Sequence, residues 1–173
     1  MINMFQRFIP IVGLLLTVNI SYAGTALVEM SGGNTPFLPW QDSSLMNQLQ
    51  KQGVQVQATD KLKVIIRVDT LFKFPSSTQL QNSKNEVLSE VATLIENYGD
   101  HVVTISGHTD NVGSDEEKLK RSRDQANAVA AYLWSRGIPL KNMIVLACGD
   151  TKPVADNVTT EGSAANRRIE ISI

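Results

Sequence analysis

The feature that most constrains this chain is a change of hydrophobic period around residue 107. Val102 to Ile105 is an apolar run, in a strand that extends to Ser106 and empties into Gly107-His108-Thr109-Asp110. From about Glu116 to Arg136 the apolar positions recur at helical spacing instead. Leu119, Ser122, Ala126, Val129, Ala130 and Leu133 form the core-facing stripe, and Gly137-Ile138-Pro139 closes the helix. Ile144 to Ala147 then reads as a strand again. A strand, a long amphipathic helix and a second strand make a crossover unit, which brings the two strands side by side in one direction.

The same alternation extends upstream. Ser43 or Ser44 caps a short helix carrying Leu45, Met46 and Leu49, and Gly53 is placed to end it. Val54, Val56 and Ala58, then Leu62, Val64, Ile66 and Val68, alternate with polar residues around a Thr59-Asp60-Lys61 turn, as a hairpin does. TLFKFPSSTQL, broken at Pro75, reads as loop. A helix follows from about Asn82 to Asn97, with Val87, Leu88, Val91, Leu94 and Ile95 on one stripe, and Tyr98-Gly99-Asp100 stops it. Downstream, Cys148 to Ala165 reads as loop, and Ile169, Ile171 and Ile173 alternate in a last strand. The order predicts an α/β domain, an α+β sandwich with a mixed βαβαβ-β sheet. Its two long helices pack on one face, and a short helix and strand precede them.

Residues 1–23 carry the marks of a secretory signal. Arg7 supplies a positive start, Phe8 to Ile20 is an apolar stretch short for a membrane span, and Ser21-Tyr22-Ala23 offers a cleavage site before Gly24. The alternative is an uncleaved anchor; either way the remainder is carried across a membrane. Residues 24–42 have the Gly, Pro and Asn content of a linker, yet hold Phe37, Leu38 and Trp40. Those side chains either pack on the 43–173 domain or form a docking peptide for a larger assembly.

Composition narrows the chemistry. A 42% hydrophobic chain of 173 residues can build one ordinary core, and a formal charge of −1 offers no field for nucleic acid. No phosphate-cradling glycine loop or serine nucleophile elbow occurs. Two histidines and one cysteine leave a zinc site without ligands at supported spacing, so His108-Thr109-Asp110 has neither a third ligand nor a nucleophile beside it. No cofactor, metal or catalysis is expected. Cys148 stands alone, so no internal disulfide forms. Within LACGD it reads as the end of a buried strand, far from where an acylated lipoprotein cysteine would sit.

GHTDNVGS, SRDQANAVAAYLWSRGIP, ACGDTKPVADN and NRRIEI, in that order, resemble the OmpA-like C-terminal domain found in outer-membrane proteins, peptidoglycan-associated lipoproteins and flagellar stators. The resemblance runs from about Val54 to Ile173. It implies a periplasmic module at the outer membrane or cell wall, without catalysis, that binds the stem peptide of peptidoglycan. In the family the Asp after the strand pairs with the amino group of diaminopimelate, and an Arg on the next helix pairs with its carboxylate. By resemblance Asp110 takes the first role with Thr109 beside it, while Asn166 and Arg167 match the element bordering the pocket.

A gap-free match departs from that pattern. It puts Gln125 at the family's Arg, Lys118 where Asn is usual and Arg121 where Leu is usual. A two-residue slip would place Leu119 and Arg123 on the family's Leu and Arg, but it needs an indel that AVAAYLWSRGI does not support. Losing a charge-assisted bond worth about 1.5–3 kcal/mol weakens binding on the order of 10- to 100-fold. Either Lys118 or Arg121 substitutes for the lost cation, or both form a solvated face. Gln125 and the Pro/Trp-bearing linker are also similar to the OmpA-like component of type IVB (Dot/Icm) secretion systems. That resemblance implies a structural subunit of an outer-membrane secretion core with weakened or lost wall binding. On either reading the partners are envelope or secretion-system proteins, and outer-membrane association comes through them rather than through a lipid anchor of its own.

Overall fold

The computed structural model describes residues 43–58, 61–81, 85–99 and 101–173; the signal and linker expectations lie outside them. The elements are α1 (Ser43–Lys51), β1 (Gln55–Ala58), β2 (Leu62–Arg67), α2 (Val68–Leu71), α3 (Asn85–Tyr98), β3 (Val103–His108), α4 (Asp115–Ser135), β4 (Met143–Gly149), α5 (Thr160–Asn166) and β5 (Arg168–Ser172). They build one five-stranded sheet in the order β1-β2-β5-β3-β4. β5 is antiparallel to both β2 and β3, and β3 is parallel to β4. The two expected crossovers are therefore present. Because such connections are right-handed and step the same way across the sheet, α3 and α4 fall on one face.

Alternation fixes which face is buried. Val64 and Ile66 of β2, Val103 and Ile105 of β3, and Ile169 and Ile171 of β5 are fully buried, in one cluster with Leu88, Val91, Val129 and Leu133 of the helices. The opposite face carries Lys63, Thr104, Ser106, Arg168 and Glu170. Gly107 brings α4 close to the sheet: a Cβ there would stand 2.1 Å from the Ser122 carbonyl oxygen. Ser122 Oγ in turn accepts from Gly149 N at 3.1 Å, tying the end of β4 to the same turn of α4.

Several boundaries differ from the reading by periodicity. Val68 opens a one-turn helix instead of ending β2, and the expected loop after it closes on a Phe72–Leu80 bridge. α5 lies inside the expected 148–165 loop. It is capped by Thr159, whose hydroxyl accepts from Gly162 N at 3.0 Å, and its polar, glycine-bearing sequence carries no apolar stripe. β4 is an edge strand, so Cys148 is half-buried and not a core thiol. Leu119, expected on the core stripe of α4, is 40% exposed, and Lys118 and Gln125 are buried in its stead.

Candidate functional site at the sheet's upper edge

β3 delivers His108, Thr109 and Asp110 to the rim of the sheet, and all three are buried. Thr109 N donates to Gly149 O at 2.8 Å, which holds this exit against the end of β4. Asp110 then bends the chain away, its Oδ1 accepting from Val112 N at 3.3 Å. The helix beyond starts cleanly: Ser114 Oγ accepts from Glu117 N at 3.3 Å, and the Glu117 carboxylate accepts from Ser114 N at 2.8 Å. This capping box fixes the first turns of α4, from which Arg121 projects.

β5 begins beside this exit. Arg167 Nη1 donates to Asp110 Oδ2 at 2.8 Å, and its Nη2 donates to Asp69 Oδ2 at 3.1 Å. On the other side Arg121 Nη1 stands 3.7 Å from Asp110 Oδ1, and Arg121 Nη2 donates to Val112 O at 3.4 Å. The result is a row of alternating charge, Asp69–Arg167–Asp110–Arg121, contributed by four separate elements of the rim. Thr109 Oγ1 and Arg167 Nε are buried there without a hydrogen-bond partner among the described residues. Such a row suits a small dipolar ligand, because each ligand charge finds an opposite partner already oriented.

The structure sorts the expected site residues into two groups. Thr109, Asp110, Arg121 and Arg167 come together. Lys118 does not join them; its ammonium bonds Asp150 at 2.6 Å and Asp115 at 2.9 Å, and those carboxylates push its pKa above the ordinary lysine value. Gln125 is 1% exposed, and its amide donates to Pro75 O at 2.8 Å and Ser77 O at 3.1 Å, clamping the 75–77 turn onto α4. Asn166 is fully buried and spends its amide on residues 154–157. Asp69 is the site residue that sequence reading missed. Its signal is weak: an acid directly after an alternating strand.

Behind the rim, His108 sits among charges on the face opposite α3 and α4. Its partner across the strands is Arg168, and its Nε2 is 3.9 Å from Glu170 Oε1. Burial first, then Arg168, Lys152 and Lys63, push its pKa down to about 4 against the pull of Glu170. The folded state therefore resists protonating His108, while the unfolded chain takes the proton near 6.5. The part of the stability that comes from His108 should be constant above pH 7 and fall by roughly 2–3 kcal/mol as pH drops from 6.5 to 4. Urea midpoints measured across that range should show the slope in the wild type and lose most of it in His108→Gln.

Among the described residues no group of three or more His, Cys, Asp or Glu is placed to hold a metal ion, and no helix is long and apolar enough to cross a membrane. The OmpA family model matches residues 71–167, more than half of the chain, from the last residue of α2 to the residue before β5. The chain belongs to the OmpA family. Among OmpA-family relatives it is 36% identical to outer membrane protein A of Bordetella avium over 111 residues, 64% of this chain and 57% of that protein. It is 40% identical to the peptidoglycan-binding protein ArfA of Mycobacterium tuberculosis over 88 residues, 51% of this chain and 27% of that one. The matches thus span only part of those longer proteins. In solved structures, the fold resembles the cell wall anchor of the T6SS from Pseudomonas aeruginosa, with a TM-score of 0.67, 28% identity and coverage of 75% of this chain and 92% of that one. The matched OmpA segment includes Asp110, Arg121 and Arg167 but begins after Asp69, so three of the four charges in the row lie within it.

Proposed function

We propose that this domain is a non-catalytic periplasmic anchor that holds an envelope or secretion complex to the cell wall by binding the diaminopimelate-containing stem peptide of peptidoglycan. The observation that carries this reading is the placement of the Asp110 carboxylate between Arg167 and Arg121 at the end of β3. An amino group entering the row takes a share of Asp110, and a carboxylate takes the guanidinium that Asp110 releases. Arg121, one helical turn before Gln125, is the cation placed for that second role. The cell wall anchor and ArfA comparisons support the ligand class.

A second reading has its own observation. Gln125, at the position where a ligand-binding Arg is expected, is committed to the Pro75 and Ser77 carbonyls and faces no open site. On this reading the domain is a structural subunit of a secretion core, as in the type IVB resemblance, with weakened wall binding. Retention on purified sacculi at low salt separates the two. Under the first reading the wild type is retained, and Asp110→Ala lowers retention on the order of 10- to 100-fold, with far-UV CD confirming that the variant is folded. A wild type that washes through would leave only the structural reading.

A further inference from the structure

The two edges of the sheet are built differently. β1, at one edge, has four residues and exposes Gln55 and Gln57. β4, at the other, is seven residues, MIVLACG, with no charge and no proline, and among the described residues only β3 pairs with it. Its outer row of backbone groups is a template for another strand, and none of the usual devices that blunt an edge is present in it. Apolar surface gathers around the same edge. Ile144 and Leu146 are 48% and 43% exposed on the face opposite α3 and α4, where they neighbour Thr104 and Ser106 of β3. Leu140, just before the strand, is 59% exposed.

We propose that β4 is the seam of a homodimer, in which a second copy of this chain continues the sheet by antiparallel β4–β4 pairing about a two-fold axis at Val145. Pairing across an antiparallel seam joins residues of the same face, which fixes the parity of the register. With Val145 on the axis, Ile144 meets Leu146 of the second copy, twice, and four exposed apolar side chains close into one patch. The flanks agree in charge. Exposed Lys141 arrives beside Gly149 and Asp150 of the second copy, and Asp150 keeps a quarter of its side chain accessible while bonding Lys118. Parallel addition would set like charges together, and an unrelated strand has no reason to match both ends. α4 adds to the seam on the other face. Leu119 packs over Gly149, and Trp134, 58% exposed, projects about 60° further round the same flank. The two-fold axis runs the paired α4 helices antiparallel, so Leu119 of one copy approaches Trp134 of the other.

The test uses the full chain. Sedimentation over roughly a hundredfold range of concentration should show a reversible monomer–dimer equilibrium. Ile144→Lys with Leu146→Lys should raise the dimer dissociation constant at least about 100-fold, since four like charges then face one another. At concentrations low enough for both proteins to be monomeric, the urea midpoint should not move, because both positions are exposed. Register is read separately, in a Cys148→Ser background. Chains carrying Ile144→Cys, mixed with chains carrying Leu146→Cys, should form the mixed disulfide in preference to either symmetric one. A wild type that is monomeric throughout, a dimer indifferent to the two lysines, or cross-links that are symmetric or absent would each overturn the proposal.

Discussion

Gly107→Ala is expected to lower the stability of the domain by about 3 kcal/mol or more, the upper end of what overpacking costs. The added methyl would meet the Ser122 carbonyl oxygen at 2.1 Å and its carbonyl carbon at 2.8 Å. Neither atom belongs to a side chain that can rotate away, so α4 must lift from β3 along a contact made by the buried Ser122, Ala126 and Val129. Lifting α4 also separates Gly149 N from Ser122 Oγ and carries Arg121 away from Asp110. Equilibrium urea unfolding should report a lowered midpoint at an unchanged slope. Ser122→Gly should not rescue the variant, because the clash is with backbone. A rescue would mean that the side chain, and not the helix, sets the spacing.

Asn166→Ala is expected to cost about as much, at about 3–4 kcal/mol. This side chain is fully buried and all four of its bonds are made: Oδ1 accepts from Val154 N at 2.8 Å and Ala155 N at 3.0 Å, and Nδ2 donates to Ala155 O and Asn157 Oδ1, both at 2.8 Å. Alanine leaves two amides and two oxygens to find water in a segment whose Val154 is exposed, which limits the penalty below the sum of four buried losses. Asn166→Asp keeps both acceptor roles but turns a carboxylate toward two oxygens, and should be at least as damaging. Thermal unfolding should drop by roughly 10 °C in each variant. Amide exchange at 154–155 should accelerate more than exchange in β3; a uniform acceleration would show that Asn166 supports the whole domain and not the turn. Because Arg167 follows directly, either substitution should also loosen the charge row.

Both positions bear on what could be read from residues alone. Val64 and Ile66, the Val87–Ile95 stripe, and Val103 and Ile105 announced strand and helix, because each is decided within one element by the period that burial imposes. α5 was hidden, since its stability comes from the Thr159 cap and from Gly162 lying against the Asp156 backbone, neither of which leaves a hydrophobic pattern. In the site, Asp110 was legible as an acid at a strand end followed by a helix start, strengthened by the family resemblance. Asp69 was not, because nothing local says that Arg167, nearly a hundred residues away, will arrive beside it. The same limit governs the polar side chains of α4. Lys118, Arg121 and Gln125 lie within two turns of one helix, yet one turns to Asp150, one to Asp110 and one to the 75–77 turn. Those destinations are set by loops that approach from three other parts of the chain.

The position of β5 has a consequence for how the molecule comes into being. Arg168–Ser172 is synthesised after every other described element, yet it fills the gap between β2 and β3 and supplies the hydrogen bonds of both. Until it emerges, the hairpin on one side and the β3–α4–β4 unit on the other have no common seam, and the buried faces of Val64 and Ile105 lack Ile171 between them. A nascent chain can thus stay open until β5 has been made. Closure then waits on β5, so a chain cut before Arg168 should be seen by proteases as unfolded and not as a slightly weakened domain.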